Sequence, residues 1–469
     1  MILKTPCWTS QELFQILDCP ASGEWSVYGI SIDTRTLQSG DLFIALEGPT
    51  HDGHDYVARA FEKGATAAIV SRNPDGCADD AQLLMVTDTV TALESLGKAA
   101  RARTHGMIVA ITGSVGKTGT KEMLRQALSV QGKVSASTGN LNNHYGVPLS
   151  LARMKADTDF GIFEVGMNHA GEIRSLVKMI RPHVSIITAI EAAHTEHFDS
   201  VEQIADAKAE IFEGFDVGGI AILNHDSSFY DRLRNAAEIA GADTVIDFGS
   251  GEDAQVKLIS VDTNEFSSKI TILIDGLAME YELLVPGMHH VMNSLAVLAA
   301  VSIVGGDIRE AAIALRNFRP LKGRGVRTII KLDDKSEVTL IDESYNASPA
   351  AMHAALSVVG LIKPLGSGRR IAVLGDMLEL GDVSSNLHVQ LIEHLEKNKF
   401  DLVFACGQHM LSLWNELPQA MRGGYSISPE KLSMVVNSSL SNGDVVVVKG
   451  SLGSRVGVIV EAILELGEE

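Results

Sequence analysis

Apolar residues along this chain gather in short unbroken runs, each closed by a polar turn and most followed by a stretch of helical period. Such runs read as strands buried on both faces, and the helical stretches between them as crossovers of a parallel sheet. Near the start, Ser26 to Asp33, Asp41 to Leu46 and Ala67 to Val70 read as strands and Asp55 to Lys63 as a helix. An alanine-rich helical pattern from Val90 to Thr104 then leads into Met107-Ile108-Val109. Further strands are expected at Asp159 to Val165 and His183 to Ile190, one helix from Val201 to Phe215, and a strand-rich stretch from Val256 to Val285. After Pro320, the glycine-broken segment Lys322-Gly323-Arg324-Gly325-Val326-Arg327 reads as a hinge. Beyond it, Val338 to Ile341, Ile371 to Leu374, Leu402 to Ala405 and Val445 to Val448 repeat the strand, turn and helix alternation of a doubly wound sheet.

The turn after Met107-Ile108-Val109 is the most informative stretch. Gly113-Ser114-Val115-Gly116-Lys117-Thr118 stands between an apolar run and a helical pattern. Glycines let several backbone N–H groups point inward, the helix start adds a positive dipole, and a lysine supplies mobile charge for outer phosphates. Thr118 would then hold Mg²⁺. Ile111 occupies the first glycine position of the longer G-x-x-x-x-G-K-[ST] pattern, so only the shorter form is present.

A chain of 469 residues exceeds what one core serves, and the motif layout divides it into three α/β domains. Residues 1–86 form a small N-terminal α/β domain, 87–104 a connector, 105–318 a central P-loop ATPase-like domain with a parallel sheet, and 319–469 a C-terminal Rossmann-like doubly wound domain. No G-x-G-x-x-G fingerprint accompanies the last, so NAD is not inferred. Apolar residues make up 45% of the chain, yet no apolar run approaches membrane-spanning length, so no membrane insertion is expected. Met1 to Ser10 lacks a basic region and long apolar core, which points to the cytoplasm. Cys7, Cys19, Cys77 and Cys406 are scattered without C-x-x-C spacing, against a zinc site or disulfide framework. Fifty-nine acidic against thirty-nine basic residues leave a charge of −20, which repels nucleic acid.

Several polar residues are candidates for chemistry. Arg35, in Asp33-Thr34-Arg35, can grip a phosphate or simply face solvent. The asparagines of Gly139-Asn140-Leu141-Asn142-Asn143 suit either turn chemistry or a sugar and pyrophosphate wall. Glu164 and His194 each follow an apolar run, where ligands gather beyond strand carboxyl ends, and beside a phosphate loop they suit Mg²⁺. Lys208 replaces the missing apolar member of the stripe Val201, Ile204, Ile211 and Phe215. Its stem can pack while its ammonium reaches the surface, or burial can lower its pKa and leave a nucleophilic amine.

Thr112-Gly113-Ser114-x-Gly116-Lys117-Thr118, Glu164 with His194, Ala207-Lys208-x-Glu210, His289 with Asn293, Arg324, and Asp342 with Tyr345 and Asn346 together resemble the Mur ligase family. These are ATP-dependent amide-forming enzymes of bacterial cell-wall precursor synthesis, and the resemblance spans all three domains. It implies ATP binding at Gly113, Ser114, Val115, Gly116, Lys117 and Thr118, with His289 and Asn293 facing the adenine and Arg324, Asp342 and Tyr345 completing the nucleotide contacts. It implies Mg²⁺ ligation by Thr118, Glu164, His194 and a carbamylated Lys208, with Lys117, Lys208, His194 and Glu164 as the catalytic set.

Within the family, Gly139-Asn140-Leu141-Asn142-Asn143, Asp342-x-x-Tyr345-Asn346-Ala347-x-Pro349 and Gly375-Asp376-Met377-Leu378-Glu379-Leu380-Gly381 most resemble the branch that adds D-alanyl-D-alanine. That implies UDP-N-acetylmuramoyl-tripeptide and D-alanyl-D-alanine as substrates, an acyl-phosphate intermediate and a monomer. The first domain would bind the UDP end, and Thr34, Arg35, Asp52, Asn140, Asn142, Asn143, Asn346, Lys449 and Ser451 would contact substrate. His290 stands where many members have asparagine, and Leu452 where arginine is common, which touches only fine contacts. Another amide ligase sharing the loop and lysine, or a nucleotide-dependent binding switch, are the alternative readings.

Overall fold

The computed structural model describes residues 5–19, 23–192, 196, 198–332 and 336–467, which form three sheets of four, nine and six strands and one two-stranded ribbon. The four-stranded sheet is all parallel, in the order Gly29–Ser31, Asp41–Ile44, Ala67–Val70, Leu83–Met85. Trp8–Thr9 and Ser26–Val27 pair separately as the ribbon. The helix Thr89–Arg103, expected as a connector, buries Ala92, Leu93, Leu96 and Ala100 in the same cluster as Trp8, Leu13 and Ile69. Its Arg101 donates to the carbonyls of Ile180 and Arg181, fastening this layer to the next unit.

In the nine-stranded sheet, Met107–Thr112 has Phe160–Glu164 and then Val134–Ala136 on one side. On the other side follow Val184–Ile187, Gly219–Asn224, Ala242–Gly249 and Val256–Thr263, all parallel. The runs Ile108–Ile111, Ile162–Phe163 and Ile186–Ile187 are buried because helices cover both faces, forming two large apolar clusters. At one edge of the expected parallel sheet, the strand-rich stretch adds Ser268–Ile274 and Leu277–Leu283 antiparallel. Asp275 and Gly276, both at positive φ, make a two-residue hairpin between Ile274 and Leu277, and so short a connection permits only antiparallel pairing.

The expected single helix from Val201 to Phe215 is also corrected. An α-helix runs Val201–Ala209 and tightens to a 3₁₀ turn over Glu210–Gly214. Glu210 turns its carboxylate to the N–H groups of Gly171 and Arg174 at 2.7 and 3.0 Å, capping the helix Glu172–Ile180. A Cβ on Gly214 would meet the backbone of Val177, so the chain passes too close for a side chain.

In the six-stranded sheet the order is Val326–Lys331, Glu337–Glu343, Val445–Lys449, Arg370–Gly375, Leu402–Cys406, Arg422–Ser426. Only the first pair is antiparallel. Among the described residues no helix is long and apolar enough to cross a membrane.

Candidate active site

The strand Met107–Thr112 delivers the phosphate loop at its carboxyl end, and the helix Lys117–Ser129 departs from it. Gly113 (φ +153°) and Gly116 (φ +87°) take conformations that side chains rarely adopt. Tertiary contacts hold the turn open: Ser114 N–H donates to the Ala189 carbonyl, and the Thr188 hydroxyl donates to the Val115 carbonyl. Ser114 Oγ accepts the Glu191 N–H and donates to the Glu191 carbonyl. The first-turn N–H groups of the helix have no preceding helical carbonyl and face the turn, the arrangement that binds phosphate. Lys117 Nζ donates to the Gly113 carbonyl at 2.6 Å and lies close to the Ser114 carbonyl. Burial lowers the Lys117 pKa, Glu164 raises it and Arg324 lowers it further.

Register brings Glu164 into this turn, because Ile111 pairs with Glu164 across the sheet. The Thr118 hydroxyl donates to Glu164 Oε2 at 2.9 Å, and Asn142 Nδ2 donates to Oε1 at 2.9 Å. Two oxygen donors side by side in a buried site suit Mg²⁺, a hard ion that prefers oxygen. His194 lies outside the described residues. Lys208, 1% exposed, does not snorkel: burial holds its pKa well below the usual lysine range and the like charge of Lys117 depresses it further. The two lysines therefore share one electrostatic environment, although 91 positions separate them in the chain.

Of the two residues that the resemblance implies for the adenine, Asn293 reaches this turn, whereas buried His289 faces the charges of Glu343 and Lys449. Asn293, in the helix Met288–Ile303, lies against it: a Cβ on Gly116 would stand 2.8 Å from Asn293 Oδ1, and one on Gly119 3.3 Å from Nδ2. The His289 and His290 rings lie 4.0 Å apart, and burial lowers both pKa values. Across the hinge, the Arg324 guanidinium sits 4.1 Å above the Tyr345 ring.

Asp342 braces the hinge itself. Its Oδ2 accepts the Gly323 N–H, its Oδ1 accepts the N–H and hydroxyl of Ser344, and its carbonyl accepts the Gly325 N–H. Buried Lys449 ion-pairs with Glu343 at 3.0 Å and donates to the Asn346 carbonyl, so it shapes the turn that presents Asn346. Ser451 Oγ accepts the Leu378 N–H, joining that turn to Asp376-Met377-Leu378.

Other substrate-side candidates are spent on the fold in this structure. Asn143 Oδ1 accepts the N–H groups of Tyr145 and Gly146 at the start of the helix Gly146–Ala152, whereas Asn140 is exposed. In the first unit, the Arg35 side chain, 84% exposed, ion-pairs with Asp33 at 2.6 Å. Thr34 is buried and its carbonyl accepts from Lys63. Asp52 bonds His54 and Arg72, whose donors hold its carboxyl far below the usual range. No hydrogen bond or ion pair among the described residues links Thr34, Arg35 or Asp52 to the phosphate loop. The sequence pattern does not single out Lys121 or Glu343 and gives Glu210 no role of its own. For Lys121 a signal exists: with Lys117, Leu124 and Leu128 it lies on one helical face, the pattern that exposed Lys208.

The chain as a whole is similar to known proteins. Residues 111–301 match the Mur ligase middle domain, 328–452 the Mur ligase glutamate ligase domain, and 26–104 the Mur ligase family catalytic domain. The UDP-N-acetylmuramoyl-tripeptide--D-alanyl-D-alanine ligase of Rickettsia prowazekii is 33% identical over 97% of this chain and 99% of its own. That of Escherichia coli is 32% identical over 98% and 99%. A crystal structure of MurF from Acinetobacter baumannii superposes with a TM-score of 0.83 at 28% identity, covering 99% of this chain and 100% of that one. MurF of Thermotoga maritima in complex with ADP gives 0.76 at 26% identity, covering 94% and 98%. With relatives matched from end to end and all three family models aligned in order, the chain belongs to the Mur ligase family.

Proposed function

We propose that this chain is an ATP-dependent amide ligase that joins D-alanyl-D-alanine to the terminal carboxylate of UDP-N-acetylmuramoyl-tripeptide, releasing ADP and phosphate. The observation that supports it most is the meeting of Thr118, Glu164, Lys117 and buried Lys208 at one set of strand ends, in a chain whose full-length relatives bear that name.

Bound Mg²⁺ would neutralise phosphate charge as the γ-phosphoryl group transfers. Thr118 and Glu164 would supply oxygens for it, and Lys117 would exchange the Gly113 carbonyl for a phosphate oxygen. The neutral amine that burial favours at Lys208 can add to CO₂, forming an N–C bond and releasing one proton, which turns a would-be cation into a carboxylate-like ligand. The acceptor carboxylate then takes the phosphoryl group with cleavage of the bond to ADP. The free amine of D-alanyl-D-alanine attacks the acyl carbon, phosphate leaves, and the nitrogen loses a proton. Arg324 on Tyr345, braced through Asp342, would join the nucleotide side to the third unit, where Asn346, Lys449 and Ser451 would line the dipeptide side. Residues 1–86 would carry the UDP end, with Thr34, Arg35 and Asp52 near it.

A coupled phosphate-release assay with ATP, Mg²⁺ and D-alanyl-D-alanine tests this, offering tripeptides ending in lysine or in diaminopimelate. Amide product with either one, identified by mass, supports the assignment. ATP turnover without amide product from either refutes it.

A further inference from the structure

Lys121 is a second lysine without access to solvent, at 0% exposure, and no step of the proposed reaction uses it. All three of its N–H donors have acceptors: the Ser137 carbonyl at 2.7 Å, the Gly139 carbonyl at 3.3 Å and Glu122 Oε1 at 3.0 Å. A buried ammonium is retained only where it is paired and hydrogen-bonded, so this lysine stabilises a particular course of residues 137–139. That segment enters the asparagine loop. Ser137 Oγ accepts the N–H of Glu164 at 2.9 Å. The loop ends at Asn142, whose Nδ2 donates to Glu164 Oε1 and whose carbonyl accepts the Gly166 N–H at 2.9 Å. A Cβ on Gly166 would stand 2.9 Å from the Asn142 side chain, so strand end and loop are in contact. Glu164 is thus gripped at its backbone and one carboxylate oxygen by a loop that starts on Lys121, and at its other oxygen by Thr118 of the phosphate loop.

We propose that Lys121 is a positioning residue that ties the asparagine loop to the Glu164 carboxylate, so that occupancy of the phosphate side and of the acceptor side are energetically coupled. The proposal rests on the ligase reading above for the identity of the two substrates. Because Glu164 contacts both loops, anything that reorients it for the nucleotide also moves Asn142, and by linkage the effect is reciprocal. Asn140, exposed in the same loop, would meet the acceptor.

The test uses the full chain with Lys121→Met, Lys121→Arg, Asn142→Ala and the Lys121→Met/Asn142→Ala double variant. Without any ligand, hydrogen exchange of the Glu164 and Gly166 amides is expected to quicken at least tenfold in Lys121→Met. In the assay, its KM for UDP-N-acetylmuramoyl-tripeptide is expected to rise about tenfold with kcat changed less than threefold. Lys121→Arg should recover part of the loss. The tightening of tripeptide binding by ADP and Mg²⁺, read by calorimetry, should shrink, and the double variant should lose no more than about twofold beyond the worse single. Wild-type exchange at both amides, a fall in kcat at unchanged KM, or losses that multiply would overturn the proposal. If Lys121→Met does not fold, Ser137→Ala paired with Asn142→Ala is measured in the same way, and the same results support or overturn the coupling. Wild-type amide formation stands as a separate control, so failure of the coupling is distinguishable from failure of the ligase reading.

Discussion

Replacing Lys208 tests the chemistry of the proposed site with two effects of opposite sign. Lys208→Ala deletes three buried methylenes, at about 0.8 kcal/mol each, so roughly 2.4 kcal/mol of burial is lost. Against this, the wild-type fold keeps an amine from its proton, and each pH unit by which the folded pKa lies below the unfolded one costs about 1.4 kcal/mol near neutrality. The two are opposite in sign, so the net loss is smaller than the burial term alone and the variant is expected to stay folded. Lys208→Met keeps the bulk without the amine and is expected to be more stable than wild type in carbonate-free buffer. With the folded pKa depressed, the unfolded chain binds more protons between the two values, so wild-type stability rises with pH towards about 10.5, and Lys208→Met loses that part of the slope. For the reaction, losing one positioned charge-stabilising group costs roughly 10²- to 10³-fold, about 2.7–4 kcal/mol. In the phosphate-release assay, Lys208→Ala should fall by that factor and recover in part with acetate or formate, which fit the vacated space with the charge of a carbamate. Rescue by small amines instead, or retention of more than a tenth of wild-type activity, would refute the reasoning.

Lys117→Ala is expected to abolish amide formation nearly completely; near-normal turnover in a folded variant would remove the phosphate-loop assignment. Thr118→Val keeps the shape and removes the bond to Glu164, so the Mg²⁺ concentration for half-maximal rate should rise several-fold, and an unchanged Mg²⁺ curve would remove Thr118 from the metal site. Gly116→Ala places a Cβ at φ +87° and 2.8 Å from Asn293 Oδ1, with a backbone cost of about 1–2 kcal/mol; ADP affinity by calorimetry should drop roughly tenfold or more, while native affinity would contradict the loop geometry. His353, stacked on His394 at 3.5 Å, is held down to about 4 by burial and its neighbour, whereas the unfolded ring titrates near 6.5. Its contribution to stability is therefore present above pH 6.5 and is lost as pH falls through 4. Discounted for its partial exposure this is about 1–2 kcal/mol, and denaturant titrations of His353→Phe should show a shallower acid limb.

The sequence by itself determined what depends on neighbours along the chain. Buried runs such as Ile108–Ile111 and Val445–Val448 read as strands because their pattern is local, and the phosphate loop is legible because glycine conformations and a helix start are set within six residues. Lys208 stands out for the same reason, as a break in a helical stripe. The hairpin at Asp275-Gly276 is legible in principle, since that dipeptide suits a two-residue turn. What the tertiary structure decided is which polar partner each side chain takes. Thr118 meets Glu164 across 46 positions and Lys449 meets Glu343 across 106, and both meetings follow from strand register and crossover order. The asparagine run could serve as turn or as binding wall on composition alone; only the fold commits Asn142 to Glu164 and Asn143 to a helix start, leaving Asn140 exposed. The helix after Ser200 stops short of what its periodicity predicts because its end is set by Glu210 reaching another helix and by the close passage of Gly214, neither of which leaves a periodic trace. A hydrogen bond is satisfied by geometry in space, and chain periodicity carries information only about which face a residue occupies, not about what waits on the other side.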